Sequence, residues 1–231
     1  MAVRKVYQFR TELFDYEPLI WRRFQVTSDI TLSRFCYILM TLFEMEASHL
    51  FMIGFPLGED DDEKICKYEL PSDDDRYDYE TGDELPNITT LKLSDIMEKA
   101  KGGFVFTYDY GDNWNVTVEL EQEFTDEKYR SGKYPRVLEG EGYGIIENCG
   151  GVYRLGDVAE AYKKKKGRRY EEFREWLGIE GIDLSVFDKK DMNFRLKKIP
   201  QIYEILYKGF EANDEDIYLI EREYLNDGSN I

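Results

Sequence analysis

The sequence predicts an α+β fold: a mixed or antiparallel sheet of early hairpins, a first helix packed on it, and a helical C-terminal half. Three observations carry this. Strand-like runs fill most of the first half, helices are read there only from Thr31 and over Leu91 to Ala100, and helical spacing dominates after residue 150. The elements follow in order. Val6, Phe9, Thr11 and Leu13 lie in a β-rich run, and Ile20, Arg22, Phe24 and Val26 alternate after Pro18, which gives a hairpin through Asp15–Pro18. Thr31 can cap a helix whose apolar positions are Leu32, Phe35, Cys36, Leu39, Leu42 and Phe43. His49 to Phe55 reads as a buried strand, and Leu91 to Ala100 as a short helix ended by Gly102-Gly103. Phe104–Asp109 and Trp114–Glu121 form a second hairpin across the polar turn Tyr110-Gly111-Asp112-Asn113.

Beyond it lies a glycine-rich connection, Gly140, Gly142, Gly144, Gly150 and Gly151. Helical spacing then holds through Leu155, Val158, Ala159 and Tyr162, through Tyr170, Phe173, Trp176 and Leu177, and over 191–208 with an interruption at Pro200. Asn213 can cap a last helix whose first turn holds Asp214, Glu215 and Asp216, the sign favoured at a helix N-terminus.

The chain has 231 residues, 42% hydrophobic and 15% aromatic, enough for an ordinary core and too apolar for global disorder. No apolar run reaches the length of a membrane helix. Forty-eight acids against 31 bases give a net charge of −17, which repels phosphate backbones and argues against nucleic acid as a partner. Cys36, Cys66 and Cys149 are far apart and odd in number, so reduced thiols in a cytoplasm are expected. The two early cations pass directly into strand-like alternation, so no secretion signal is read.

Charge is uneven. Residues 59–84 hold thirteen acids against Lys64, Lys67 and Arg76. At that density a solvated insertion with little regular structure is expected. Asp73, Asp75 and Glu84 fall at calcium-loop positions one, three and twelve, but Asp78 stands where the loop needs glycine to turn, so no calcium site is read. The basic run Lys163-Lys164-Lys165-Lys166-Gly167-Arg168-Arg169 ends a predicted helix and is flanked by glutamates, which fits a solvated helix end, or a clamp onto the acidic insertion, better than a DNA patch.

Arg22 shares strand parity with Ile20, Phe24 and Val26, so it points inward, where a guanidinium needs a partner; Asp109 and Asp112 are the candidates. Trp21, Tyr108, Tyr110 and Trp114 are core aromatics or the lining of a recognition groove. There is no GxSxG and no HExxH, and His49 is the single histidine. Gly140-Glu141-Gly142-Tyr143-Gly144 lacks the Lys-Ser/Thr of a phosphate loop and is read as a turn.

Pro18-Leu19-Ile20-Trp21-Arg22-Arg23, Thr31-Leu32, Ser48-His49-Leu50, Tyr108-Asp109-Tyr110-Gly111-Asp112-Asn113-Trp114, Gly140-Glu141-Gly142, Glu147-Asn148-Cys149-Gly150-Gly151 and Glu175-Trp176-Leu177-Gly178, followed by Asp183, Phe187 and Asn193, stand in an order and spacing that resembles the plasmid pRiA4b ORF-3-like family. The match runs over about residues 3–196. The resemblance implies an α+β fold found on plasmids and in transposable elements, in proteins some of which are labelled resolvases without a supporting mechanism; function does not travel with the fold. Family members usually carry histidines where this chain has Cys36, Phe51 and Val116, and an aspartate at Asn148. If relatives gather those groups around a metal, this chain has lost most of the ligands, although His49, Cys36, Glu147 and Cys149 remain.

The expected organisation is one α+β domain over 1–196 with the acidic insertion 59–84, and a helical extension, 197–231, packed on it. The reading leans away from an enzyme and toward a non-enzymatic protein or peptide interaction module, a mobile-element accessory, monomeric or homodimeric, with no cofactor and no metal. Structural or cleft residues are Trp21, Arg22, His49, Tyr108, Asp109, Asp112, Trp114 and Cys149. The alternative is a divalent-metal hydrolase or nucleic-acid-processing enzyme built on the carboxylates Asp109, Asp112, Glu141 and Glu147.

Overall fold

The computed structural model describes residues 2–56, 65–70 and 86–225. Seven strands, β1 (Ala2–Leu13), β2 (Trp21–Thr27), β3 (Phe51–Pro56), β4 (Ile65–Glu69), β5 (Gly103–Tyr108), β6 (Trp114–Tyr129) and β7 (Arg136–Glu141), form one sheet in the order β4-β3-β5-β6-β1-β2-β7. Every neighbouring pair is antiparallel, so this is an α+β fold.

Helix α1 (Leu32–Leu42) covers the middle of the sheet, and the Thr31 hydroxyl accepts from the Arg34 N–H at 3.2 Å as its N-cap. The rings of Phe9 and Phe24 on the sheet meet Phe35 of α1 at centroid separations of 5.3 and 6.0 Å. Every residue of α1 except Arg34 is buried, more than an amphipathic helix on a sheet requires. Helix α6 (Ile199–Leu206) accounts for this: it lies against α1, and just beyond it Tyr207 stacks on Tyr37 at 5.5 Å. The remaining helices are α2 (Leu93–Met97), α3 (Gly151–Lys164), α4 (Arg168–Leu177), α5 (Lys189–Arg195) and α7 (Asp214–Ile220), the last capped by Asn213. Pro200 sits in the first turn of α6, where its missing N–H costs nothing.

Three sequence expectations are corrected, two in the backbone and one at Arg22. The acidic stretch is not uniformly without structure: Ile65–Glu69 forms edge strand β4, and the buried Tyr68 packs on Phe55 with ring centroids 5.9 Å apart. Residues 59–64 and 71–84 of that stretch, with the calcium-loop register, lie outside the described residues. The glycine-rich segment read as a turn begins with strand β7, paired to β2 from Trp21↔Glu141 to Gln25↔Arg136. A side chain at Gly140 would put its Cβ 2.8 Å from Arg22 Cδ and from the Trp21 carbonyl, so glycine is what lets β7 close over Arg22.

Arg22 does point inward, but its expected carboxylate partner is corrected. Its guanidinium donates to the backbone carbonyls of Leu42 (3.0 Å), Trp21 (2.8 Å), Glu141 (2.6 Å) and Tyr143 (2.5 Å) and stacks on Phe187. Burial pulls its pKa down to about 9, with Glu44 pulling the other way. Four carbonyl dipoles replace water for the charge, and in doing so they tie β2, the end of α1 and the chain after β7 into one unit.

A second buried network ties in the chain after α6. Glu44, just past α1, accepts from Arg195 and, at 2.6 Å, from Arg222 beyond α7; Arg222 also lies 3.0 Å from Asp191, which accepts from the Tyr224 hydroxyl. Helix α6 adds the hydroxyl of Tyr203, which donates to the Met45 carbonyl.

Candidate functional site

At one end of the sheet three segments converge: 44–50 before β3, the 109–113 turn between β5 and β6, and 145–151 before α3. The backbone there takes left-handed values at Glu44, Ala47, Asp109, Asn113 and Asn148, with φ between 54° and 61°. Five such non-glycine residues in one neighbourhood mark a corner whose shape is held by its hydrogen bonds.

Asp109 turns the chain with its own carboxylate, Oδ1 accepting the Gly111 N–H at 2.9 Å, while its backbone N–H donates to the Leu50 carbonyl at 3.0 Å. Glu147 Oε1 accepts from the Tyr108 hydroxyl and from the Glu46 N–H, both at 2.7 Å, and the Ser48 N–H donates to the Tyr108 oxygen at 3.1 Å. His49 joins the group through Nε2, 3.3 Å from Asn148 Oδ1, 3.6 Å from Asp109 Oδ2 and 3.7 Å from Glu147 Oε2. Glu147 Oε2 is buried without a hydrogen-bond partner. Burial raises the Glu147 carboxyl above its ordinary 4.5, Asp109 adds to the rise, and the Glu46 N–H, Tyr108 hydroxyl and His49 oppose it.

The four candidate carboxylates therefore divide. Asp109 and Glu147 meet at His49. Asp112 accepts the Gly150 N–H at 2.9 Å and fixes the start of α3, while Glu141 accepts from the Trp21 indole at 3.2 Å on the outer face of the β2–β7 pair. Trp21 there lies under the Arg10 guanidinium, 4.2 Å from the ring centroid. Trp114 is fully buried core, with no hydrogen-bond partner for its indole N–H. Cys149 is buried and free, its thiol pushed up to about 12 by burial, so it is no thiolate at neutral pH.

Among the described residues no three His, Cys, Asp or Glu side chains converge with the geometry of a metal site. Cys36, Phe51 and Val116 are buried among apolar neighbours, Phe51 against Tyr37, Phe106 and Tyr207. The Tyr207 hydroxyl closes the corner from behind, donating to the His49 carbonyl at 2.5 Å. The roles of Asn148, Glu46 and Tyr207 carry no local sequence signal, since each is set by a contact about a hundred or more residues away.

Beside this corner two hollows run between the β1–β2 turn and α3. The smaller, about 220 Å³, lies among Phe14, Asp15, Asp112, Asn113, Val152 and Tyr153 at the N-terminal end of α3. The larger, about 790 Å³, lies between Tyr16–Pro18, the 181–185 loop, and Gly156, Ala159 and Lys163 farther along the same helix.

An antiparallel seven-stranded sheet packed with helices, with this carboxylate-lined corner at one end, places the chain in the α+β class. The chain belongs to the plasmid pRiA4b ORF-3-like protein family, whose model matches residues 5–195. It is 25% identical over 192 residues to the uncharacterized protein y4hQ of Sinorhizobium fredii (strain NBRC 101917 / NGR234), covering 83% of this chain and 90% of that one. The crystal structure of MM3350 from Methanosarcina mazei Go1, a protein of unknown function, is similar with a TM-score of 0.67 and 26% identity, over 82% of this chain and 98% of that chain. No helix among the described residues is long and apolar enough to cross a membrane.

Proposed function

We propose that this chain is a non-enzymatic binding module that takes an extended protein or peptide segment in the groove between the β1–β2 turn and α3. The observation that carries this is the pair of hollows, about 220 and 790 Å³, sharing the 14–18 turn as one wall and α3 as the other. From Val152 to Lys165 the helix rises about 20 Å, the length of roughly six extended residues. Ligand sites are concave and mostly apolar with a few placed polar groups; Tyr16, Pro18, Ala159 and Tyr162 supply the apolar part of the larger hollow, Glu17, Lys163 and Asp183 the polar part.

The dismantled histidine positions at Cys36, Phe51 and Val116 support binding over catalysis. The carboxylate-enzyme reading is favoured by one observation, the meeting of Asp109 and Glu147 at His49; against it, Asp112 and Glu141 are engaged elsewhere. The family's plasmid origin supports a role as a mobile-element accessory protein, and the buried free thiols of Cys36 and Cys149 support a cytoplasmic setting.

The test is site-specific photo-crosslinking in the host cell. A photoreactive side chain at Ala159 should give a discrete protein adduct that the same probe at the exposed Lys128 does not, and Gly156→Trp should abolish it. No adduct, or equal adducts from both positions, contradicts the proposal.

A further inference from the structure

The smaller hollow at the head of the groove has an unusual surface. Phe14 is 59% and Tyr153 82% exposed, two large aromatic residues open to solvent that line the hollow together with Asp15 and Asp112. No lysine or arginine lines it. The nearest cation on α3, Arg154, is engaged elsewhere, within 4.0 Å of Asp157 and over the Phe173 ring. The Tyr153 hydroxyl donates to Asp15 at 3.4 Å, which holds ring and carboxylate side by side.

Among the described residues neither carboxylate pairs with a cation, Asp15 accepting from the Tyr153 hydroxyl and Asp112 from the Gly150 N–H. Exposed aromatic faces beside carboxylates without a cationic partner call for one complement: a cation with several N–H donors on a flexible stem.

We infer that this hollow receives a lysine or arginine side chain of the segment bound in the groove, its charge over Phe14 and Tyr153 and its N–H groups on Asp15 and Asp112. The inference rests on the groove reading and names the chemistry of its occupant: a basic extended segment, entered at the N-terminal end of α3. Attraction to the −17 surface at large is the rival explanation for any such binding, and the test separates the two.

Fluorescence anisotropy with a labelled extended decapeptide carrying two arginines, against the same peptide with glutamates in their place, is measured at physiological salt. The arginine peptide should bind and the glutamate peptide should not. Phe14→Ser with Tyr153→Ser, both at exposed positions, should weaken binding about tenfold. Asp15→Asn, which removes a lining carboxylate, should weaken it as well. Glu171→Gln with Glu172→Gln on α4, outside the groove, should leave it unchanged. Equal losses in the α4 variant, or none in the Phe14/Tyr153 variant, assign the binding to diffuse charge and overturn the inference. If the arginine peptide fails to bind while the Ala159 crosslink forms, the groove reading stands and the basic occupant does not.

Discussion

The guanidinium of Arg22 lies 4.2 Å from the ring centroid of Phe187, and every hydrogen bond it makes goes to a backbone carbonyl. A charge buried in this way depends on all its acceptors at once, and those acceptors depend on it. Arg22→Ala should destabilise the fold by about 3–5 kcal/mol, because it leaves four carbonyls short of a donor and opens a cavity against Phe187. Arg22→Lys should recover only part of this, since one ammonium does not span four carbonyls set around a planar fork. Urea denaturation measures both, and a loss below about 1 kcal/mol for the alanine variant, typical of a surface site, contradicts the assignment.

Glu147 gives a pH signature. Its carboxyl is raised above 4.5 in the folded chain, first by burial. As pH climbs past 4.5 the unfolded chain releases this proton while the folded chain still holds it. The folded state binds more protons there, so stability falls as pH rises through the window above 4.5. Glu147→Gln removes the titration while its amide oxygen still accepts from Tyr108 and Glu46. The variant should be at least as stable as the parent at pH 7 and lose less stability between pH 4.5 and 7 in urea titrations. A steeper fall would show that the folded state favours the ionised carboxylate.

Glu44 is the shared acceptor of a buried pair of arginines. Burial pulls the Arg195 pKa down, but Glu44, together with Tyr203 and Tyr224, outweighs it and the net shift is upward. Glu44→Gln leaves Arg195 buried with no carboxylate and weakens the hold on Arg222, at a cost of about 3–5 kcal/mol. Hydrogen exchange should report the same event locally, with amides of 214–225 exchanging faster than those of β1 and β6. Uniform acceleration over the whole chain would argue against a local anchor.

Half of the six cations in the basic run at the α3–α4 junction are already engaged. Lys164 pairs with Glu160 at 2.5 Å, Arg168 with Glu172 and Arg169 with Asp157 at 2.7 Å. Few cations remain to displace counterions, and each neutralised phosphate adds a salt slope of only about −0.9. A mobility-shift assay at physiological salt should retain neither duplex nor single-stranded DNA. Retention abolished by changing Lys163–Lys166 to alanine would reverse the conclusion.

Much of the fold was legible because local signals agree with tertiary demands: period-two alternation in β1, β2 and the β5–β6 hairpin, the Thr31 and Asn213 caps, Pro200 at the start of α6. Strand β7 was hidden because Gly140 and Gly142 look like turn residues, while their actual reason is the close approach of Arg22 and Ile20. Strand parity aimed Arg22 correctly. Its partners could not be read, because any residue supplies a carbonyl. For the site, the matched segments brought forward His49, Asp109 and Glu147, but which carboxylates meet depends on the register of β7 against β2 and on the 145–151 loop. The exposure of Phe14 and Tyr153 likewise follows from how α3 docks.

Selection of a random peptide display library on the protein, with Gly156→Trp as its partner experiment, tests the groove most directly. Gly156 lines the larger hollow, and a side chain built there meets nothing within 4 Å, so tryptophan fills the groove without strain, and replacing a helical glycine favours α3. The account predicts enriched peptides that bind the parent chain and lose at least tenfold in affinity on the Gly156→Trp variant of unchanged melting temperature. Failure to enrich any peptide, or enriched peptides that bind both forms equally, contradicts it.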